Sequence, residues 1–150
     1  MDDDKRFASR RPDVLTYETA KLNDDVTLAG PVIADLLTAI STTDADFVVK
    51  LIDVFPDDFK YAEPPAYSKK NNGGSYPMGG YQMLVRAEIM RGKFRNSFEK
   101  QEPFVPGEIT EVKWELPDVA HTFLKGHRIM IQVQSTWFPL ADRNPQKFTD

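Results

Sequence analysis

The clearest pattern in the chain is a strict alternation of side chains between residues 128 and 134. Its odd-numbered positions from 129 to 133 carry isoleucine or valine, and its even-numbered positions from 130 to 134 carry methionine or glutamine. Because successive side chains of a strand point to opposite faces, this pattern predicts a central strand with one face in a core. After Ser135 the alternation ends in an aromatic loop, Trp137-Phe138-Pro139, and a polar turn at 142–145.

Similar short runs recur along the chain and are separated by turn signals. They are the segments 14–17, 26–29, 32–41, 47–55, 81–90 and 108–116. The segment 32–41 also fits a helix, but Gly-Pro before it and polar residues after it favour a strand. The segment 47–55 is apolar on both faces apart from Lys50 and Asp53, which predicts a second central strand.

The remaining segments are predicted to be irregular. Residues 57–80 form a long loop with little periodicity, 91–100 form one helical turn or an extended edge, and 117–126 form a connection with one helical turn. Residues 1–10 are expected to be a linker outside the fold. About seven strands with turns every 8 to 12 residues or so are typical of an all-β sandwich or jelly roll.

Composition narrows the function classes. A chain of 150 residues suits one domain, and its net charge of −4 with scattered basic residues argues against nucleic acid as a partner. The absence of cysteine excludes disulfides and thiolate metal sites. No stretch approaches the ~20 apolar residues of a membrane helix, so no membrane partner is expected. No glycine-rich phosphate loop is present, and we expect no cofactor.

The sequence offers little catalytic equipment. The nearest match to a serine-hydrolase elbow, around Ser75, has proline in place of the last glycine and no strand or helix beside it, so we interpret it as a loop. The chain's histidines, His121 and His127, are too few for a zinc site. We expect His127 to make a structural hydrogen bond and His121 to lie exposed in a connection. No catalytic residue is assigned.

Paired aspartates at 24–25, 44–46 and 57–58 allow a calcium site in principle. Aspartates in turns more often bond nearby backbone amides, and we favour that interpretation. No metal site is therefore assigned.

The aromatic loop is the strongest candidate for a binding site. It is interpreted as a cap on the domain's own core, as an anchor against another domain, or as a sugar-binding platform together with Tyr61 or Tyr76. Arg143 is expected to clamp the turn through charge-assisted hydrogen bonds to its neighbours. The candidate docking residues are Trp137, Phe138, Asp142, Arg143 and Asn144.

An ordered series of short motifs makes the chain resemble a known family. The motifs are RPDVLTY at 11–17, LAGPV at 28–32, DADFVVKLIDV at 44–54, RGKFR at 91–95, PGE at 106–108, KGHRI at 125–129, STWFP at 135–139 and DRNP at 142–145. In this order and spacing they resemble the C-terminal domain of the CocE/NonD hydrolases. That group is similar to X-Pro dipeptidyl-peptidases, cocaine esterase, α-amino-acid ester hydrolases and glutaryl-7-aminocephalosporanic acid acylases.

The resemblance implies a jelly roll of the galactose-binding-like type over residues 11–150. It implies a non-catalytic accessory domain that braces an upstream α/β-hydrolase domain and helps wall its substrate cleft. The catalytic Ser-His-Asp triad of such enzymes lies in that upstream domain, which is absent from this chain. The sequence also stops before the family's usual last strands, so we expect a truncated domain with an open sheet edge that can pair with a second copy. The alternative hypothesis is a stand-alone carbohydrate-binding module.

Overall fold

The computed structural model describes residues 4–60 and 78–149. Within these residues the regular structure consists of strands and of two short 3-10 helices, Ala8–Arg10 and Gly92–Phe94. The strands are β1 (Val14–Glu18), β2 (Val26–Thr38), β3 (Asp46–Val54), β4 (Gln82–Arg91), β5 (Thr110–Phe123) and β6 (Arg128–Gln134). The predicted all-β class is confirmed. No helix in the described part of the chain is both long enough and apolar enough to cross a membrane.

The strands form two antiparallel sheets that share one core. The larger sheet has the order β1-β6-β3-β4, and the smaller consists of β2 and β5. Phe47 and Val49 from β3 pack in the same cluster as Ala34 from β2 and Trp114 from β5. Both β3 and β6 lie inside their sheet, which confirms their prediction as central strands. In this sheet β1 is an edge strand, and pairing of an open edge with a second copy stays a prediction.

The strand β2 joins two segments that the sequence analysis separated at Gly30-Pro31. The pairing with β5 shifts between Gly30 and Val32, which marks a bulge, and Gly30 has a φ of 115°. Glycine adopts this backbone conformation without a steric penalty, and a bulge tolerates a proline that cannot donate to the ladder. The strand conformation of 32–38, preferred over a helix, is confirmed.

The strand β5 also runs further than predicted. Its pairing with β2 continues from Thr110 to Phe123, so the helical turn expected between 117 and 126 was wrong. Val119 and Phe123 fill a second core cluster with Leu51 of β3. Burial of these two apolar side chains favours an extended backbone there, in spite of the local turn signal at Pro117.

Both faces of β6 are covered. Ile131 and Val133 pack on the shared core, as the alternation predicts. The opposite face is buried even more completely, since Met130 is 2% exposed and Gln132 is fully buried. Gln132 Nε2 donates to the carbonyl of Lys5 at 3.4 Å, so the segment before β1 covers this second face.

The N-terminal segment, expected to be a linker, contacts the large sheet. Asp4 forms a bridge with Met83, the Lys5 amide donates to the Gln82 carbonyl at 3.0 Å, and the Lys5 side chain is buried. Asp4 and Lys5 thus extend the sheet beside β4, and the Lys5 carbonyl reaches Gln132 on the face that the core does not use.

Candidate functional site

The loop after β6 is fastened to the start of β3 by Asn144. Asn144 Nδ2 donates to Asp44 Oδ2 at 3.0 Å and to Asp46 Oδ1 at 2.7 Å, and both aspartates are buried. Burial raises the pKa of the Asp46 carboxyl, and the hydrogen bond from Asn144 opposes that shift. The Asp44 carboxylate also accepts from the Ala45 amide at 2.9 Å. These aspartates, considered above as calcium ligands, thus hold the backbone and the loop.

Trp137 lies over a buried cation. Lys50 Nζ lies 4.9 Å from the centroid of the half-buried Trp137 ring and donates to Gln134 Oε1 at 3.0 Å. Lys50 is only 2% exposed. Burial, together with the positive charges of Lys5 and Arg11, lowers its pKa to about 8.

Phe138 and Arg143 form the outer part of the loop. The Arg143 guanidinium lies 4.7 Å from the centroid of the Phe138 ring, which is 59% exposed. Asp142 pairs with Arg91 on β4 instead of with Arg143. The predicted clamp between Arg143 and its neighbours was therefore wrong. A guanidinium stacks well on an aromatic face, and Asp142 is within reach of the neighbouring strand.

A groove of about 670 Å³ opens between this loop and the N-terminal segment. We call it the aromatic–cationic groove, and the lining residues that define it are Phe7, Lys50, Trp137, Phe138, Leu140 and Arg143. Phe7 and Leu140 are exposed, as Phe138 is. The groove therefore combines an apolar rim with cations, of which Lys50 and the neighbouring Lys5 are buried.

The structure brings some predicted site residues together and separates others. Trp137, Phe138, Arg143 and Asn144 line the groove, whereas Asp142 pairs with Arg91 on β4. Lys50 also lines the groove, although it was not among the predicted site residues. The available signal was its position as a lone cation in the apolar run of β3.

The histidines meet on the inner face of the large sheet. His127 Nδ1 lies 2.8 Å from Asp53 Oδ1, and His121 Nε2 lies 3.0 Å from Asp53 Oδ2. The structural hydrogen bond predicted for His127 is confirmed. His121 was expected in an exposed connection, which was wrong, because it belongs to β5 and its side chain is 21% exposed.

This cluster does not resemble a hydrolase centre. Both imidazole rings contact the same carboxylate, and His127 and Asp53 are buried while His121 is partly exposed. In residues 4–60 and 78–149 there is no group of three or more His, Cys, Asp or Glu side chains arranged to hold a metal ion. Ser75, Tyr61 and Tyr76, considered above for catalysis or sugar binding, lie outside the described residues.

Comparison with known proteins assigns the chain to a family of accessory domains. The family model of the X-Pro dipeptidyl-peptidase C-terminal non-catalytic domain matches residues 2–150. Cocaine esterase from Rhodococcus sp. (strain MB1 Bresler) is 36% identical over 141 residues, which are 94% of this chain and 21% of the esterase.

Solved structures agree in fold as well as in sequence. An aminopeptidase from a marine sediment Thaumarchaeota archaeon superposes with a TM-score of 0.83 at 46% identity, over 98% of this chain and 22% of that one. An α-amino acid ester hydrolase superposes with a TM-score of 0.84 at 41% identity, over 97% of this chain and 22% of that one. A CocE/NonD family hydrolase from Staphylococcus aureus, at 14% identity and a TM-score of 0.59, shares the fold. The chain thus spans about a fifth of the length of these relatives, and it belongs to the family of X-Pro dipeptidyl-peptidase C-terminal non-catalytic domains, which form the C-terminal part of CocE/NonD hydrolases.

Proposed function

We propose that this domain braces the α/β-hydrolase domain of a longer polypeptide and helps wall its substrate cleft. The relatives named above are an esterase, an aminopeptidase and an ester hydrolase, and each extends far beyond the segment that this chain matches. The bond-breaking step in such a polypeptide is acyl transfer by a serine nucleophile with a histidine base, all in the catalytic domain. We also propose that the two sheets form a jelly roll of the galactose-binding-like type.

The aromatic–cationic groove is the observation that carries this proposal. Its base is fixed by the hydrogen bonds of Asn144 and by the contact of Lys50 with Trp137. Its rim includes three exposed apolar side chains, Phe7, Phe138 and Leu140. A neighbouring set of exposed apolar side chains marks an interaction surface, and aromatic residues and arginine are the side chains that contribute most at interfaces.

The test uses a hydrolase polypeptide that contains both domains. Phe138→Ser combined with Leu140→Ser is expected to weaken the interface by about 2 kcal/mol or more and to lower kcat/KM together with the melting temperature. The matched control is Ile33→Ser with Leu37→Ser, because those apolar side chains are at least as exposed but lie on the outer face of β2. Equal effects of the two double variants would argue against docking through the groove.

A second test concerns catalysis by this chain alone. The 150-residue chain is expected to leave p-nitrophenyl acetate unhydrolysed above the buffer rate. Turnover that disappears in Ser75→Ala would overturn the proposal, because it would place a nucleophile on this polypeptide.

The carbohydrate-binding alternative is not favoured. The relatives named above are hydrolases and not lectins. In addition, the Trp137 ring is half-buried and its face is already in contact with Lys50, so it is poorly placed for stacking on a sugar.

A further inference from the structure

Lys50 is a buried cation whose charge is only partly compensated in the described structure. Its ammonium group has three donors, and it contacts one neutral acceptor, Gln134 Oε1, and the face of Trp137. No carboxylate of residues 4–60 or 78–149 forms an ion pair with it. Lysine is almost never fully buried in proteins unless it is paired, so this arrangement points to a missing anionic partner.

The charged groups around Lys50 reinforce this argument. Lys5 and Arg11 are close enough to lower its pKa, and Arg143 lines the same groove. The carboxylates that line the groove already have basic partners. Asp4 pairs with Arg6, and Asp13 accepts from Arg11 Nε at 2.8 Å. The groove is therefore positive overall and attracts an anion.

A second polar side chain of the groove lining also lacks a partner. Thr136 lines the groove, and its buried Oγ1 has no hydrogen-bond partner among the described residues. A hydroxyl donor and an ammonium donor that line one groove are groups suited to a carboxylate, because its oxygens accept hydrogen bonds from both.

We propose that the aromatic–cationic groove binds an aspartate or glutamate side chain of the catalytic domain, with its carboxylate paired to Lys50. This inference rests on the proposed function and names the chemistry of the contact. The apolar rim of Phe138 and Leu140 favours a protein segment over a free small carboxylate, because a segment covers the rim while its acidic side chain reaches Lys50. Covering the rim also excludes water, which strengthens the ion pair.

The experiment compares this chain alone with a hydrolase polypeptide in which the catalytic domain precedes it. Both proteins carry lysine labelled with 13C at Cε and tryptophan labelled with 15N, and Lys50 is titrated by NMR. Lys50→Arg identifies the Lys50 signal by its disappearance. Lys113, which pairs with Asp35 on the small sheet, is the control and should titrate alike in both proteins.

The expected result is a Lys50 pKa of about 8 in the chain alone and a clearly higher pKa in the two-domain protein, because a carboxylate favours the charged ammonium. An unchanged or lower pKa in the two-domain protein would overturn the carboxylate site. A rise in the chain alone that grows with protein concentration would also overturn it, since a second copy would then supply the acid.

The Trp137 indole signal separates this failure from failure of the proposed function. Trp114, buried in the core, is the internal reference. If Trp137 shifts in the two-domain protein but the Lys50 pKa does not rise, docking holds and the carboxylate site is wrong. If neither signal changes, the groove does not dock the catalytic domain, and the proposed function fails with it.

Discussion

The two faces of β3 are equally buried but are covered by different kinds of structure. Toward the core, Phe47, Val49 and Leu51 pack against the strands of the small sheet. Away from the core, Lys50 lies under the loop that follows β6, and the neighbouring strand is covered by the N-terminal segment. Hydrogen-bonded strands close the inner face completely, whereas irregular segments leave a groove at the outer face.

The buried polar groups of the two faces differ in the same way. On the inner face, Asp53 accepts from His121 and His127, so its carboxylate oxygens are satisfied within the domain. On the outer face, Lys50 has one neutral acceptor and an aromatic ring. The difference supports the proposal made above, in which the inner cluster maintains the fold and the outer face binds the catalytic domain.

The comparison predicts the largest effect in the inner core. Phe123→Ala removes a fully buried ring that packs with Leu51 and is expected to lower the free energy of unfolding by about 3–5 kcal/mol. Phe138→Ala is the matched control, because the same ring is removed from the exposed rim of the groove, and it should change stability by less than about 0.5 kcal/mol. Urea unfolding of both variants measures this. A similar loss of stability in both variants would contradict the distinction between the buried core and the exposed rim of the groove.

A smaller loss is expected at the inner polar cluster. Asp53→Asn replaces the shared carboxylate by an amide and is expected to cost about 3 kcal/mol, because charge-assisted hydrogen bonds to two histidines are lost in a buried place. Asp35→Asn removes a solvent-exposed pair with Lys113 and should cost far less stability than Asp53→Asn. A cost at Asp53 no larger than that at Asp35 would contradict a structural role of the cluster.

The outer face predicts a dependence of stability on pH. The pKa of Lys50 is about 8 in the folded chain and near 10.5 when unfolded, so between these values the unfolded chain binds more protons. The free energy of unfolding should therefore rise by about 2 kcal/mol as the pH goes from 8 to 10.5. This rise is smaller than the difference between the two pKa values alone would give, because water in the open groove screens the charge. Lys50→Met should lack this rise, and identical pH profiles in unfolding experiments would show that Lys50 is not responsible.

Much of this fold could be predicted from the local pattern of apolar and polar residues. The predictions that were wrong have a physical cause. The alternation at 128–134 and the apolar run at 47–55 correctly predicted two central strands. They could do so because a strand that is buried on one or both faces has apolar residues at the buried positions. Gly30-Pro31 and Pro117 predicted breaks between strands. In the structure β2 and β5 stay paired on both sides of these residues, and a bulge between Gly30 and Val32 accommodates the irregularity. Glycine and proline destabilise a strand only locally. The pairing that compensates for this involves two distant segments, so it cannot be predicted from either segment alone.

The candidate site was only partly foreseen for a related reason. Trp137, Phe138 and Asn144 could be predicted as site residues because they lie together in one loop of the sequence. Lys50 joins them through the pairing of β3 with β6, which places it beside Gln132 and near the start of the loop. That pairing spans more than eighty residues of sequence, so spacing could not show it.

The central claim is that the rim of the groove is covered by the catalytic domain. Hydroxyl-radical footprinting of this chain and of a two-domain hydrolase polypeptide measures the accessibility of single side chains directly. We expect Phe138 and Leu140 to be oxidised readily in the chain alone and to be protected in the two-domain protein, with Leu37 labelled equally in both. Equal oxidation of Phe138 and Leu140 in the two proteins would contradict the account.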